Sequence, residues 1–285
     1  MNSQTFLEEV QTYIKNTYSE FQEYQEIVTE ILFEFNRVCN ETGIDYYLAY
    51  GSLLGAVRDE GQIPWDYDVD VFVKINDKER LLQELDNKLG DGYYYDYVNK
   101  HKTYPTTCLR VCKKGYSMLA LHVDVFFLIG LPEDEKKQNV FFKDVRRLVK
   151  IRENKYLNLY FKPNYESAVE KILGGLMRFR YAIIPGWWIR NKEKELQYAN
   201  DILKADNYMV YLYGFKVLPK RIFDGVKKIN FKGQELSLPI GYEEFLKIIY
   251  GDYKSYLPIK KRFDEFYKMK NQLDKRQQQY LTTKD

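Results

Sequence analysis

The sequence predicts an α/β (α+β) protein, in which a mixed twisted sheet is flanked by helices and followed by a mainly helical C-terminal lobe. Strand-like and helical stretches alternate up to Pro132, and helical periodicity dominates after it. One strand-like run, LALHVDVFFLIG (119–130), is apolar at nearly every position. Because a strand that is apolar on both faces is buried on both faces, we expect this run at the centre of the sheet.

The N-terminal stretch from Phe6 to Cys39 carries apolar residues at alternating spacings of three and four, which is typical of an amphipathic helix. Ser19 and Gln22 fit a capping box, so the stretch is predicted to form one helix or two helices with a restart near Ser19. Gly43 suits the end of this helical region.

The next segment, residues 44–73, contains the motif that is most informative about function. Strand formers over 44–50 lead to a turn at Gly51 and Ser52, and LLGAVR (53–58) suits a short helix. In DYDVDVFV (66–73) polar and apolar residues alternate, so Asp66, Asp68 and Asp70 share one face of a predicted strand. A helix over 77–89 and strands over 92–98 and 105–112 are predicted to follow.

Beyond Pro132 the pattern predicts helices over 137–160, 165–181 and 187–205, a hairpin over 226–240 that turns at Lys232 and Gly233, and a short helix within 241–253. We divide the chain into an N-terminal helical extension (1–24), a catalytic core (25–132), a helical lobe with a hairpin (133–258) and a basic C-terminal tail (259–285).

Composition excludes several classes of protein. The 44 basic and 41 acidic residues leave a net charge of only +3, so bulk charge gives no reason to expect a nucleic-acid partner. Three cysteines and two histidines provide neither a disulfide framework nor a four-ligand zinc site, which favours a reducing, cytoplasmic location. No secretory signal and no apolar run of the ~20 residues needed to span a bilayer are present, so we expect a soluble or peripheral protein.

The acidic strand predicts a metal site. Same-face residues on a strand lie roughly 6.5 to 7 Å apart at Cα, so Asp68 and Asp70 can converge on one ion. Asp124 stands in the otherwise apolar run LHVDVFF, where a charge is costly without a partner. If the two strands are neighbours, Asp124 is a third acid at the same site. Oxygen ligands without nearby Cys or His favour Mg²⁺ or Mn²⁺. The alternative is that the acids cap a turn or face solvent.

Residues just before this strand suit a phosphate. A Gly51-Ser52 turn at a helix N-terminus offers backbone N–H groups and a hydroxyl, and Arg58 can clamp phosphate oxygens. A metal, a helix terminus and an arginine together favour phosphoryl transfer, in which Asp124 is either a ligand or the base that activates an attacking hydroxyl.

The same residues resemble a known family. YYLAYGSLLGAVRDEGQIPWDYDVDVFV (46–73), HVDVF (122–126) and FKGQELSLPIGYEEFLKIIYGDYKSYLP (231–258) are similar, in this order, to the motifs of the LicD family. The resemblance implies a nucleotidyltransferase-like fold and transfer of phosphocholine from CDP-choline to a teichoic acid or surface glycan. It also implies that Asp68, Asp70 and Asp124 bind the metal, that Gly51 and Ser52 form the phosphate turn and that Arg58 contacts the donor phosphates.

Two positions depart from the usual family motif. Asp59 stands where many members have His, and Tyr67 replaces the middle aspartate of W-D-D-D. Strand alternation predicts that Tyr67 points away from the metal site. Asp59 places a negative charge near the expected diphosphate and leaves the donor and acceptor open.

Other residues outside the main motif have both a functional and a structural interpretation. Trp65 and Asp66 are candidate substrate-binding residues, with packing at the Pro-Trp turn as the alternative for Trp65. His122 is either a proton carrier or a hydrogen-bonded core residue. The stretch 172–190, with Trp187 and Trp188, suits either a membrane interface or burial between the lobe and the sheet, and burial is favoured.

The sequence therefore predicts a metal-dependent transferase with a CDP-linked donor, acting on a glycan or lipid-linked glycan, in the cytoplasm or peripherally at the inner face of the plasma membrane. Ribitol phosphate, glycerol phosphate or a sugar phosphate from another nucleotide donor is the alternative cargo. A glycan-binding scaffold on the same fold is the alternative of a different class.

Overall fold

A curled mixed sheet organises the protein, for which the computed structural model describes residues 3–116, 118, 120–156, 175, 179–211 and 216–282, with side chains between 21 and 275. Within these residues seven strands form the sheet: β1 (Tyr46–Leu48), β2 (Val69–Lys74), β3 (Tyr93–Asp96), β4 (Leu109–Lys113), β5 (His122–Gly130), β6 (Asn207–Val210) and β7 (Leu218–Pro219). The hairpin strands β8 (Val226–Phe231) and β9 (Gln234–Pro239) pair separately.

Helices flank the sheet. They are α1 (Ser3–Thr42), α2 (Tyr50–Arg58), α3 (Lys78–Lys88), α4 (Glu135–Tyr156), α5 (Gly186–Gln197), α6 (Tyr242–Tyr250) and α7 (Ile259–Thr282), with short 3-10 turns at Ile75–Asp77 and Lys220–Phe223. The predicted fold class, an α/β protein with a mixed twisted sheet and flanking helices, is confirmed. No described helix combines the length and the apolar character that are needed to cross a membrane.

Strand β5 is the centre of the sheet, as its apolar sequence predicts. It pairs in parallel with β2 along one edge, and along the other edge in antiparallel fashion with β4 and then with β6. Because β6 comes from the predicted helical lobe, the sheet continues beyond residue 132. Val123, Val125 and Leu128 are fully buried, so β5 anchors the core on which the other strands are placed.

Helix α1 is one continuous helix, which decides between the two predicted alternatives against a restart near Ser19. Its apolar stripe, including Val28, Ile31 and Phe35, is buried against the sheet. The same helix holds the loop before β2, because Gln25 Nε2 donates hydrogen bonds to the carbonyl oxygens of Ile63 (3.1 Å) and Asp66 (2.6 Å).

The C-terminal half agrees with the prediction in part. The hairpin turns at Lys232 and Gly233 with φ values of 48° and 88°, as expected. The predicted helix over 165–181 lies almost wholly outside the described residues. The predicted helix over 187–205 ends early, at Gln197, and Asp201 closes a separate turn in which its Oδ1 accepts the N–H of Leu203 (3.0 Å).

The prediction that the 172–190 stretch is buried is wrong for one of its two tryptophans. Trp188 packs on a small cluster that contains Leu148, Ile151 and Ile189, but Trp187 stays 60% exposed. Neighbouring positions in the first turn of α5 point in different directions, so one tryptophan faces the cluster and the other does not.

Candidate active site

Two carboxylate residues lie side by side at the centre of the sheet. Asp70 on β2 and Asp124 on β5 are direct partners in the parallel register, and neither residue is completely buried. Neighbouring strands are about 4.8 Å apart, so the side chains of such partners project together from the same face. The expected neighbourhood of the two acidic strands is therefore confirmed by the register.

Asp124 has a cationic partner on its other side. Arg110 is its partner on β4, and Arg110 Nε donates to Asp124 Oδ1 at 2.9 Å. His122 Nε2 lies 3.4 Å from the same oxygen, and Cys108 Sγ lies 3.3 Å from it. Burial raises the pKa of Asp124, but Arg110 and His122 outweigh burial and hold this pKa below its ordinary value. Asp124 is thus an ionised carboxylate.

Asp70 experiences the opposite balance. Burial first, and then the charges of Asp124, Asp68 and Asp66, raise the pKa of Asp70 well above its ordinary value, while Arg110 opposes them. Repulsion among these carboxylates is incompletely compensated by the protein itself. A cation placed beside Asp70 would offset it.

The predicted strand over 66–73 begins later than expected, at Val69, so Asp66 and Asp68 lie in the turn that leads into β2 and do not share a strand face with Asp70. Asp66 Oδ1 accepts the N–H of Asp68 at 3.1 Å, which fixes the chain just before the strand begins at Val69. Burial raises the pKa of Asp66 to about 6. A Cβ added at Gly51 would lie only 2.8 Å from Asp66 Oδ2, so glycine is needed there for the carboxylate to approach helix α2.

The acids present fit a hard divalent cation, although the expectation that no Cys or His lies nearby is wrong, because His122 and Cys108 both contact Asp124. They offer carboxylate oxygens, and Mg²⁺ is commonly held by one or two carboxylates together with waters and substrate phosphates. Over the part of the chain that is described, no three His, Cys, Asp or Glu side chains form a preformed metal site. The pair Asp70 and Asp124 would hold such an ion, and Asp68 as an additional ligand stays a prediction.

Ser52 positions Asp70. Gly51 and Ser52 lie within the first turn of α2, which begins at Tyr50, instead of forming a turn ahead of it. The buried Ser52 Oγ accepts the N–H of Asp70 at 2.8 Å, and Ala49 N–H donates to the Asp70 carbonyl oxygen at 2.9 Å. This contact joins α2 to the acidic strand and uses Ser52 Oγ only as an acceptor, so the predicted donation of its hydroxyl proton to a phosphate stays a prediction.

Arg58 has two protein partners at the end of α2. Its Nη2 lies 2.9 Å from Asp59 Oδ2, and its guanidinium lies 4.4 Å from the centre of the Tyr256 ring. Tyr256 in turn donates its hydroxyl proton to Asp59 Oδ1 at 2.6 Å. The unusual Asp59 thus has a structural account, because it holds Arg58 and Tyr256 together.

Aromatic residues that the sequence did not assign line the same region. Tyr50, at the start of α2, has φ of 43° and packs its ring against Phe72 and Phe126. The pKa of Tyr250, at the end of α6, is raised by burial and by the charges of Asp70 and Asp66. The only signal for Tyr250 in the sequence is its place in the YGDY segment.

The remaining candidates, Tyr67, Trp65 and His122, are wholly or partly buried. Tyr67 is buried in the core, with its ring 6.1 Å from that of Phe21, although it precedes β2 and its direction is not set by strand alternation. Trp65 is half-buried and packs on the core, and the Arg262 guanidinium lies 5.7 Å from its ring centre. His122 is buried beside Asp124, and its Nδ1 has no hydrogen-bond partner among the described residues.

Comparison with known proteins places this site in a family. Residues 43–163 match the family model described as "LicD/FKTN/FKRP, nucleotidyltransferase domain". The chain is 24% identical over 248 residues to the lipopolysaccharide cholinephosphotransferase LicD of Haemophilus influenzae, an alignment that covers 83% of this chain and 92% of the relative. An uncharacterized protein of Rickettsia prowazekii is 30% identical over 82 residues, 29% of this chain and 31% of that protein.

The sheet, the paired acids and this match define a nucleotidyltransferase-like domain. More specifically, residues 43–163 are a LicD family domain, and the resemblance predicted from the sequence motifs is confirmed. Arg110 belongs to the site as well. Its charge type was visible in the sequence, but its pairing with Asp124 depends on the register between strands.

Proposed function

We propose that the protein is a metal-dependent transferase that moves phosphocholine from CDP-choline to a hydroxyl of a cell-surface glycan or teichoic acid precursor and releases CMP. The observation that carries the proposal is the direct register of Asp70 and Asp124 inside the LicD family domain. The similarity to a lipopolysaccharide cholinephosphotransferase supports the choice of cargo.

In the proposed reaction an acceptor oxygen attacks the phosphorus that bears choline. The bond from that phosphorus to the bridging oxygen breaks, CMP leaves with the bonding electrons, and the acceptor proton is lost to a base or to solvent. A Mg²⁺ or Mn²⁺ ion held by Asp70 and Asp124 would neutralise charge on the phosphates. The lowered pKa of Asp124 makes it a weak base, which favours the role of ligand.

Residues on α2 and in the following loop would hold the donor. Arg58 would contact phosphate oxygens, and its pairing with Asp59 supports this by keeping the guanidinium at the helix end. Trp65 offers a ring beside this region for the base or the choline group. Ser52 acts indirectly, since its hydroxyl fixes the backbone of Asp70.

CMP release, measured with and without Mg²⁺ over a panel of CDP-choline, CDP-ribitol and CDP-glycerol, tests the proposal. We expect Mg²⁺-dependent release from CDP-choline in the presence of a glycan acceptor. Release of CMP from CDP-ribitol or CDP-glycerol, but not from CDP-choline, would support the alternative cargo. Calorimetry that finds no metal-dependent binding of any CDP donor would contradict the enzyme and support the scaffold.

Peripheral association with the inner face of the plasma membrane is part of the proposal. Phe179, Ile183 and Trp187, four residues apart in sequence, are 70%, 68% and 60% exposed, and aromatic and aliphatic side chains of this kind suit a membrane interface. We expect the protein to float with anionic liposomes. Trp187→Ser should reduce the fraction of protein that floats. Val140→Ser, at an exposed apolar position on α4, is the control. Equal flotation of both variants would contradict this membrane surface.

A further inference from the structure

Arg262, on the C-terminal helix α7, contacts the region proposed for the donor. Its guanidinium lies 5.7 Å from the Trp65 ring centre and 5.5 Å from the Tyr256 ring centre. The Arg58 guanidinium lies 4.4 Å from that same Tyr256 ring. Two arginines from opposite ends of the sequence therefore contact one aromatic side chain. Arg262 lies outside the segment that matches the family, which ends at residue 163.

One donor on Arg262 has no acceptor. Its Nε is buried and lacks a hydrogen-bond partner among the described residues. A buried guanidinium N–H without an acceptor is unfavourable, so such a group calls for a ligand, an ion or water. By contrast, Arg58 shares its charge with Asp59.

The neighbouring charges do not supply the missing acceptor. On α7, Lys260 pairs with Asp264 at 3.2 Å, and Lys268 contacts Glu265 at 3.6 Å. The carboxylate of Asp59 is occupied by Arg58 and by the Tyr256 hydroxyl. An arginine stacked on two aromatic rings keeps its planar donors in a fixed orientation, which suits the oxygens of a phosphate.

We propose that Arg262 is a second phosphate-binding arginine, which contacts the diphosphate of a nucleotide donor together with Arg58. This inference rests on the proposed function and deepens it, because it assigns a substrate-binding role to the C-terminal helix. In this role α7 completes the donor site, and Tyr256 spaces the two guanidinium groups.

Binding of CDP, CMP and cytidine, measured by calorimetry on the full chain, tests this role. Since charge-assisted hydrogen bonds are the strong ones, we expect Arg262→Gln to weaken CDP binding by about 10- to 100-fold and cytidine binding by less than about 2-fold. Arg262→Lys keeps the charge and should retain part of the affinity. Lys261→Gln, at the adjacent exposed position, removes the same charge and should bind CDP like the wild type.

A purely structural role gives a different pattern. If Arg262 only tethers α7, Arg262→Gln would lower the melting temperature and weaken CDP and cytidine binding equally, which would overturn the inference. The inference would also be overturned if Arg262→Gln bound CDP as tightly as Lys261→Gln does, or if the wild-type protein bound no CDP.

The proposed function and this inference can fail separately. Arg262-dependent binding of CDP without CMP release from CDP-choline would contradict the proposed reaction and leave Arg262 in its role. CMP release from CDP-choline that is as fast in Arg262→Gln as in Lys261→Gln would support the reaction and contradict the role of Arg262.

Discussion

Asp70 and Asp124 are direct partners on the parallel strands β2 and β5, although 54 positions separate them in the sequence (124 minus 70). The pair is asymmetric, because Arg110 compensates Asp124 while Asp70 is surrounded by other acids. The two carboxylates therefore differ in their electrostatic environment despite their equivalent places in the register.

Removal of the Asp70 charge should abolish transfer without unfolding the protein. We expect Asp70→Asn to lower the rate of CMP release by about 10²- to 10³-fold or more, which is the range seen when one electrostatic group is removed from an active site. Because the substitution also removes repulsion from Asp124, the free energy of unfolding without metal should not fall. Full activity would contradict the metal assignment. Asp91→Asn, at an exposed loop position, is the matched control.

Loss of Arg110 should destabilise the protein through Asp124. Both side chains are mostly buried, so we expect Arg110→Gln to lower the free energy of unfolding by about 3 kcal/mol, measured by urea denaturation. The double variant Arg110→Gln/Asp124→Asn should recover part of this loss, since no charge is left unpaired. Additive effects would show that the pair is not coupled. Lys113 lies on the same strand as Arg110 and forms a partly exposed ion pair with Glu30. Lys113→Gln should lower the free energy of unfolding by about 0.5 kcal/mol or less.

Gly55→Ala should destabilise the site although alanine favours helices. In the interior of a helix alanine gains about 1 kcal/mol over glycine. Here a Cβ would lie 2.5 Å from the Gly61 carbonyl oxygen and 2.8 Å from Ile63 N, both of which are backbone atoms. We expect the clash to outweigh the gain, with a net loss of about 1 to 3 kcal/mol in thermal or chemical unfolding.

Gly92→Ala is the matched control for this prediction. No atom lies within 4 Å of a Cβ built at Gly92, and its effect should stay within about 0.5 kcal/mol. Equal stability of the two variants would contradict the packing of the 59–64 loop on α2.

The buried pair of Arg152 and Glu193 should be essential for the C-terminal lobe. It joins α4 to α5, and Arg152 Nη1 also donates to the Tyr104 carbonyl oxygen at 2.7 Å. We expect Glu193→Gln to lower the free energy of unfolding by about 3 kcal/mol or more, because it leaves a buried guanidinium without its counter-charge. Glu195→Gln on the same helix, whose pair with Lys192 is exposed, should change it by less than about 0.5 kcal/mol. If Glu193→Gln lowered the free energy of unfolding as little as Glu195→Gln does, the Arg152–Glu193 pair would not be essential for the lobe.

Local pattern alone determined much of the fold. The alternation in DYDVDVFV predicted the burial of Val69 and Val71 on either side of Asp70, the apolar run set β5 at the centre, and Lys232-Gly233 set the hairpin turn. These features depend on neighbouring residues and on backbone geometry, so they can be predicted without knowledge of distant contacts. The ordered motifs also indicated the family.

Tertiary structure decided how the site is assembled. The pairing of Asp70 with Asp124 and of Asp124 with Arg110 follows from the register of strands far apart in sequence. Packing of the core fixes that register, since a slip of one residue would turn apolar side chains outward. The approach of Arg262 to Trp65 and Tyr256 likewise depends on where α7 packs. The sequence by itself determined which acids are present and the place of Asp70 between buried valines on β2, whereas only the tertiary structure decided their partners, because those contacts join distant segments.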